Sequence, residues 1–402
     1  MKVHFIGIGG IGVSALAQYY LAKGHQVSGS DLVSSEITQA LKKKGVKIFI
    51  GKENPQNLFK KFDLIIYSPA VNIKHRVSNI LSYPQALGEL TKQHFTIAVS
   101  GSHGKSTTTA MLGLLLVKAG FDPTVIVGTK VKEFGDSNCR VGESKYLVIE
   151  ADEHFGSFLN YWPKIIVLTN IEKDHLDYYK NFKNILKTFR EYIGHLPKDG
   201  ILITNKSIDR KAAKSLKKIL KVPGEHNVAN ALLALMTARA LKIPDKISFK
   251  ALSEYKGAWR RFGIRKVRQL TVVSDYGHHP TQIKATLRAA RDKWPSKEIW
   301  CVFQPHQYQR TYYLFNDFVK VLKAVPVDKL IVTDIYDVAG REEKIIKEKV
   351  SSKKLIKTIN KNWAIYLPKE KIINYLKKNL LGGEVVIFMG AGDIYEVDRK
   401  FN

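Results

Sequence analysis

The chain has 402 residues, 45% hydrophobic and 25% charged, with 28 Gly and 13 Pro, a globular composition that excludes a disordered, collagen-like or small stapled scaffold. Lys and Arg outnumber Asp and Glu by 65 to 36, a net charge of +29 that favours anionic ligands without saying which. Cys139 and Cys301 lie too far apart in sequence to suggest a disulfide framework or a cysteine-rich zinc site, so a reducing compartment, the cytoplasm, is expected.

Residues 1–93 alternate short apolar runs with helical stretches. KVHFIGIG, HQVSGSD, VKIFIG and DLIIYSPAV read as strands, SALAQYYLAKG and SEITQALKKKG as helices, and strand–helix alternation predicts a parallel sheet with right-handed crossovers. Lys2, the apolar run from Val3 and Ala15-Leu16-Ala17 imitate a signal peptide, but a glycine-rich turn is a poor secretory core. That turn, Gly7 to Gly12, has the pattern G-x-G-x-x-G after a strand, with Asp31 ending the next strand. Glycines there let helix amides approach a pyrophosphate, and an acid can accept from a ribose hydroxyl; taken alone, this suggests an NAD-dependent oxidoreductase.

A second segment, 94–262, opens with FTIAVSGSHGKSTTTAMLGLLLVKAG, again strand, loop and helix. Its loop, Gly101-Ser102-His103-Gly104-Lys105-Ser106-Thr107, has the form of a phosphate-cradling loop, in which amides hold phosphates, the Lys ammonium bridges them and the following hydroxyl binds Mg²⁺. Val99 stands where the longer pattern has its first glycine. Two later strands end in Glu150-Ala151-Asp152-Glu153 and Asn170-Ile171-Glu172-Lys173-Asp174-His175. A hard ion wants oxygen ligands, so either Glu150 or Glu153 suits it. Asn227 and Asn230 lie at i and i+3 at a helix start, where both can face a nucleotide or Asn227 can simply cap the helix.

The third segment, 263–402, carries strands LTVVSDYG, EIWCVFQP, KLIVTDIY and EVVIFMGAG. Arg260-Arg261 precedes it; Asp275, the His278-His279 pair, His306 and Arg310 follow its strands, groups suited to a carboxylate or phosphate. A zinc site at the two histidines is not favoured, since no third ligand is in sight. Lys-rich stretches from Arg210 to Lys221 and Arg341 to Lys378 read as amphipathic helices with solvated lysines rather than a nucleic-acid patch. The architecture expected is α/β: three consecutive domains, Rossmann-like, P-loop-type ATPase and Rossmann-like. No apolar run reaches the ~18 residues of a membrane helix.

Taken in order, GIGGIG, SGSHGKSTTT, EADE, TNIEKDH, GEHNVANA, RRF, DYGHHPT, FQPH-x-Y-x-RT and DIYDVAGREE resemble the Mur ligase family across the whole chain. The resemblance implies ATP-dependent amide synthesis in peptidoglycan assembly, with Mg²⁺, joining L-alanine to UDP-N-acetylmuramate through an acyl phosphate. The last two strings favour this over the branch that adds a recycled peptide to the same sugar nucleotide. It also implies that the first domain holds the UDP-sugar rather than NAD, through Gly9, Gly10, Gly12, Asp31 and Ser68. ATP would be bound by Gly101 to Thr107 and by Asn227, Asn230, Arg261 and Asp275. Ser106, Glu150 and His175 would form the metal shell. His278, His306 and Arg310 would face amino acid and sugar, and Lys105, His175, Arg261 and Arg310 would be catalytic. The partners expected are these small molecules, with no nucleic acid or membrane, and a monomer or weak homodimer. The chain departs from the family pattern at Gln307, where Arg is frequent, at His154-Phe155-Gly156, and in the short stretch between Thr204 and Val222.

Overall fold

The computed structural model describes residues 1–52, 61–71, 73, 79–205, 209–338 and 343–402. Residues 206–208 of the short stretch, and Ala339, Gly340, Arg341 and Glu342 of the DIYDVAGREE string, lie outside the described residues. The chain divides into two compact units. One comprises Met1–Ile171, Leu186–Ile219 and Asn230–Lys256, the other Glu172–Ile185, Leu220–Ala229 and Gly257–Asn402.

The first unit holds two sheets. β1 (Lys2–Ile6), β2 (Gln26–Asp31), β3 (Lys47–Ile50), β4 (Leu64–Tyr67) and β5 (Ile80–Ser82) form a parallel sheet in the order β3-β2-β1-β4-β5. The winding reverses beside β1, and the crevice at the carboxyl ends of such strands is where open α/β sheets bind ligands. β6 (Phe95–Ser100), β7 (Thr124–Val131), β8 (Ser137–Arg140), β9 (Tyr146–Glu150), β10 (Ile165–Leu168) and β11 (Ile201–Thr204) follow in the order β11-β10-β6-β9-β7-β8. Only the β7–β8 pair of this sheet is antiparallel. β6 is central, so the loop after it opens at the middle of the sheet. The helix that follows, Lys105–Lys118, is buried from Ser106 to Leu116, which explains why its sequence is apolar all round.

The second unit holds β12 (Gly263–Val267), β13 (Leu270–Asp275), β14 (Ile299–Phe303), β15 (Lys329–Val332), β16 (Ala364–Tyr366) and β17 (Val385–Met389), ordered β12-β13-β17-β14-β15-β16 with only β12 antiparallel. Side chains alternate between its two faces: Val273, Ile299, Cys301 and Phe303 pack on one side, Val272, Trp300 and Val302 on the other. The lysine-rich helices behave as their periodicity predicts. Arg210–Ile219 buries Ala212 and Leu216, and Ser352–Ile359 buries Leu355 and Ile359, leaving Lys353, Lys354 and Lys357 exposed. Among the described residues no helix is long and apolar enough to cross a membrane.

Candidate active site

At the end of β1 the glycine turn is closed by backbone bonds from Gly7 and Ile8 to the carbonyl of Ser30. Asp31 accepts from the Gly9 amide at 2.8 Å, so one of its oxygens shapes the turn rather than waiting for a ribose. Ser68, at the end of β4, stands beside Gly7, whose absent Cβ would lie 2.8 Å from its own. Gly12 is required for another reason: a Cβ there would meet the Tyr83 ring at 2.7 Å. Tyr83 begins the helix Tyr83–Lys92. Burial raises its phenol above its ordinary range, and the carboxylates of Glu150 and Asp152 add to this. Sequence reasoning missed it, since nothing local marks an aromatic that lies over a glycine 71 positions away. It also missed Asn138, whose amide donates to the Ile11 carbonyl and, at 2.9 Å, to Ser14 Oγ, tying the helix Ile11–Ala22 to β8.

The loop after β6 owes its shape to two glycines. Gly101 has φ +126°, and a Cβ there would lie 2.2 Å from Thr169 Oγ1; Gly104 has φ +83°, and a Cβ would lie 2.4 Å from Asn230 Oδ1. The Ser102 amide donates to the Asn170 carbonyl at 3.0 Å, and the His103 amide to Asn170 Oδ1 at 2.9 Å. Val99 is a fully buried residue of β6, paired with Val167 and Glu150, so the loop starts two residues later than the longer pattern requires. The first-turn amides of Lys105–Lys118, which have no intrahelical acceptor, are the groups an anion would use.

Lys105 Nζ donates to the Gly101 carbonyl at 2.8 Å and to Glu153 Oε2 at 2.6 Å, with Asp152 at 3.5 Å. Burial would lower the ammonium, but the carboxylates of Glu153, Asp152 and Glu150 outweigh it and hold the amine above its ordinary range. Burial pushes Glu153 up to about 7, with Lys105 opposing. Glu150 instead accepts from Ser106 Oγ at 3.0 Å and from the Gly128 amide at 2.7 Å. The two acids that the sequence left as alternatives therefore divide: Glu153 partners the lysine, and Glu150 partners the hydroxyl. The adjacent oxygens of Ser106 and Glu150 are the donor type a small hard cation needs, so Mg²⁺ fits here.

The second unit gathers a different set. Arg310 Nε donates to Asp174 Oδ1 at 3.0 Å, both side chains being buried. Its Nη1 lies 3.3 Å from His306 Nδ1 and donates to the His306 carbonyl at 3.3 Å. The His306 ring stacks on Tyr336 with centroids 5.4 Å apart, and lies 5.8 Å from that of His278. Burial would raise Asp174, but Arg310 and then the histidines at 175, 279 and 278 hold it well below the carboxylate range. Burial, aided by Arg310 and His306, drives His278 far below its ordinary value. The backbone amide of His175, a residue with φ +52°, donates to Asp174 Oδ1 at 2.8 Å.

His279 is a helix cap: it accepts from the Thr281 amide at 3.3 Å, and its Nε2 lies 3.0 Å from the Lys173 carbonyl. Asp275 accepts from the amides of Phe262 and Gly277 and from Thr286 Oγ1. Arg261 lies over the Tyr276 ring at 4.7 Å, while Arg260 donates to the carbonyls of Gly390 and Gly392. Asn227 does not cap the helix Glu225–Ala240; its amide donates to Pro223 O at 2.7 Å from within the first turn. The division between units falls inside that helix, with Asn230 in the first.

Family models match three successive stretches: "Mur ligase family, catalytic domain" at 2–95, "Mur ligase middle domain" at 99–222 and "Mur ligase, glutamate ligase domain" at 260–392. The UDP-N-acetylmuramate--L-alanine ligase of Aquifex aeolicus is 39% identical, covering 100% of this chain and 97% of its own, and that of Acetivibrio thermocellus is 38% identical, covering 99% and 95%. The chain belongs to the Mur ligase family. As a Mur ligase it is an ATP-using ligase, and the oxidoreductase reading of its glycine turn falls away. The crystal structure of UDP-N-acetylmuramate-alanine ligase from Thermotoga maritima is similar to this Mur ligase with a TM-score of 0.79 and 27% identity, covering 100% of this chain and 98% of that one. A murein peptide ligase from Psychrobacter arcticus shares the fold at a TM-score of 0.71 and 23% identity, with coverage of 100% and 98%.

Proposed function

We propose that this Mur ligase joins L-alanine to UDP-N-acetylmuramate at the expense of ATP. The observation that carries the chemistry is the loop after β6, where Lys105 is held between the Gly101 carbonyl and Glu153, and Ser106 lies against Glu150. A carboxylate is a poor electrophile. Its oxygen attacks the γ-phosphorus, ADP leaves, and the acid becomes an acyl phosphate. The amine of L-alanine then attacks the acyl carbon, the amine loses a proton, and inorganic phosphate departs.

Lys105 exchanges its carboxylate partners for the phosphate oxygens and stabilises the charge on the moving group, while the helix amides behind it fix the phosphates. Ser106 and Glu150 would hold Mg²⁺, with His175 completing its shell, and the ion supplies further charge neutralisation. Asn227, Asn230, Arg261 and Asp275 serve the nucleotide, His278, His306 and Arg310 the amino acid and the acyl group, and the glycine turn with Ser68 the UDP-sugar. The reaction is placed in the cytoplasm, where ATP is available, in a monomer or weak homodimer without nucleic-acid or membrane partners. A phosphate-release assay with UDP-N-acetylmuramate, ATP and Mg²⁺ tests the reading: release should depend on L-alanine. Release driven by a peptide but not by L-alanine would select the recycling activity instead.

A further inference from the structure

The glycine turn after β1 meets side chains from both flanks of its sheet. Asp31 ends β2 on one flank and Tyr83 follows β5 on the other, since the strand order is β3-β2-β1-β4-β5. The Tyr83 ring lies over Gly12, in the first turn of the helix Ile11–Ala22: a Cβ on Gly12 would lie 2.7 Å from Cζ and 2.9 Å from Oη. The hydroxyl is therefore beside first-turn amides, which have no intrahelical acceptor and suit an anion.

Tyr83 is held in that place by its own helix. The Ser82 amide and hydroxyl each meet Gln85 Oε1 at 2.9 Å, and Pro84 fixes the backbone of the first turn. Further along, Gly88 packs so closely that a Cβ there would lie 2.4 Å from the Asn160 carbonyl oxygen, in the segment His154–Asn160 that follows Glu153. The glycine turn is tied to the same second sheet through Asn138 of β8, which donates to Ile11 O and Ser14 Oγ. Glu150 and Asp152 lie near enough to reinforce burial in keeping the phenol protonated. The phenol thus faces both the glycine turn and the acidic end of β9, within one compact unit.

Charge decides what this hydroxyl can do. A lysine or arginine at the position would pair with Glu150 and Asp152 and compete with a cation for them. A protonated phenol donates one hydrogen bond and brings no charge. Along the crevice stand an acid at β2, open helix amides, a phenolic donor and then Glu150 of the proposed metal site. A sugar nucleotide presents its groups in the matching order: nucleoside, first phosphate, second phosphate, and a sugar bearing the acid.

We infer that Tyr83 is a positioning residue for the sugar nucleotide: its hydroxyl donates to the phosphate next to the sugar and so directs the sugar's carboxylate toward the phosphate-cradling loop. This rests on the ligase reading above and adds to it the side chain that reads the second phosphate.

Tyr83→Phe keeps the ring over Gly12 and removes only the donor. Dissociation constants for UDP and UMP are measured by calorimetric titration, and KM for UDP-N-acetylmuramate, ATP and L-alanine by phosphate release. Loss of a hydrogen bond to a charged group should weaken UDP, and raise KM for UDP-N-acetylmuramate, by at least ~10-fold. UMP, which lacks the second phosphate, should stay within about twofold of wild type, as should KM for ATP and L-alanine. A residue that merely shapes the turn would weaken UDP and UMP together, and that outcome overturns the inference, as does an unchanged affinity for UDP. Wild-type enzyme that binds UDP yet releases no phosphate with UDP-N-acetylmuramate, ATP and any amino acid would instead overturn the ligase reading itself.

Discussion

Lys105 Nζ lies 2.6 Å from Glu153 Oε2, with side chains 11% and 3% exposed. Lys105, proposed above to bind the ATP phosphates, is thus paired with an internal acid. Removing that acid leaves a buried charge without its main partner, which costs about 3–5 kcal/mol. Glu153→Ala should lower the unfolding free energy by an amount of that order, and ATP should restore more stability to the variant than to the wild type, because its phosphates replace the missing charge. Thermal unfolding with and without ATP checks this; equal ATP-induced shifts would contradict it.

The left-handed glycines separate backbone cost from site geometry. Gly104 has φ +83° and faces Asn230 Oδ1, while Gly24 has φ +78° with nothing within 4 Å of the added Cβ. Alanine at either position carries a left-handed penalty of about 1–2 kcal/mol. Only Gly104→Ala should weaken ATP binding, by at least ~10-fold if the clash costs a further ~1.4 kcal/mol, as read by calorimetric titration. Comparable ATP affinities in the two variants would show that the loop tolerates the displacement.

Ser106 Oγ and Glu150 are 3.0 Å apart. Ser106→Ala removes one oxygen from the proposed cation site without adding bulk. The Mg²⁺ concentration for half-maximal phosphate release should rise at least ~10-fold, the effect of losing about 1.4 kcal/mol, with KM for L-alanine unchanged. An unchanged Mg²⁺ requirement would place the ion elsewhere.

Acid should destabilise the second unit in two steps. His278 has a folded value well below 6.5 because it is buried, so the unfolded chain takes up the proton first; its contribution is complete above 6.5 and lost as pH falls toward the folded value. Asp174 is depressed below 3.8, so its contribution is present above 3.8 and lost on further acidification. Each linked proton gives a slope of about 1.4 kcal/mol per pH unit. Denaturant unfolding between pH 7.5 and 5 should show falling stability, and His278→Asn should flatten that slope. A profile of equal steepness in the variant would assign the dependence to other groups.

Much of the fold was legible because its signals are local. Strands that are buried throughout, such as β14 and β17, read as short apolar runs, and the two glycine loops each stand between a strand and a helix. The hairpin β7–β8 was not read, since the mixed polarity of SNCR gives no strand signal. What sequence could not supply was pairing across distance. Asp174 and Arg310 are 136 residues apart, and the choice between Glu150 and Glu153 turns on which one the helix after β6 presents to its lysine and which to its serine. Asp31 illustrates the converse: its position was foreseen, but its bond to the Gly9 amide shows that it builds the turn.

The central claim is that Lys105 carries the phosphoryl transfer. It is tested most directly by L-alanine-dependent phosphate release in Lys105→Ala, with UDP-N-acetylmuramate binding measured on the same preparation. Release should be abolished while UDP-sugar binding persists; turnover retained at a substantial fraction of the wild-type rate would contradict the account.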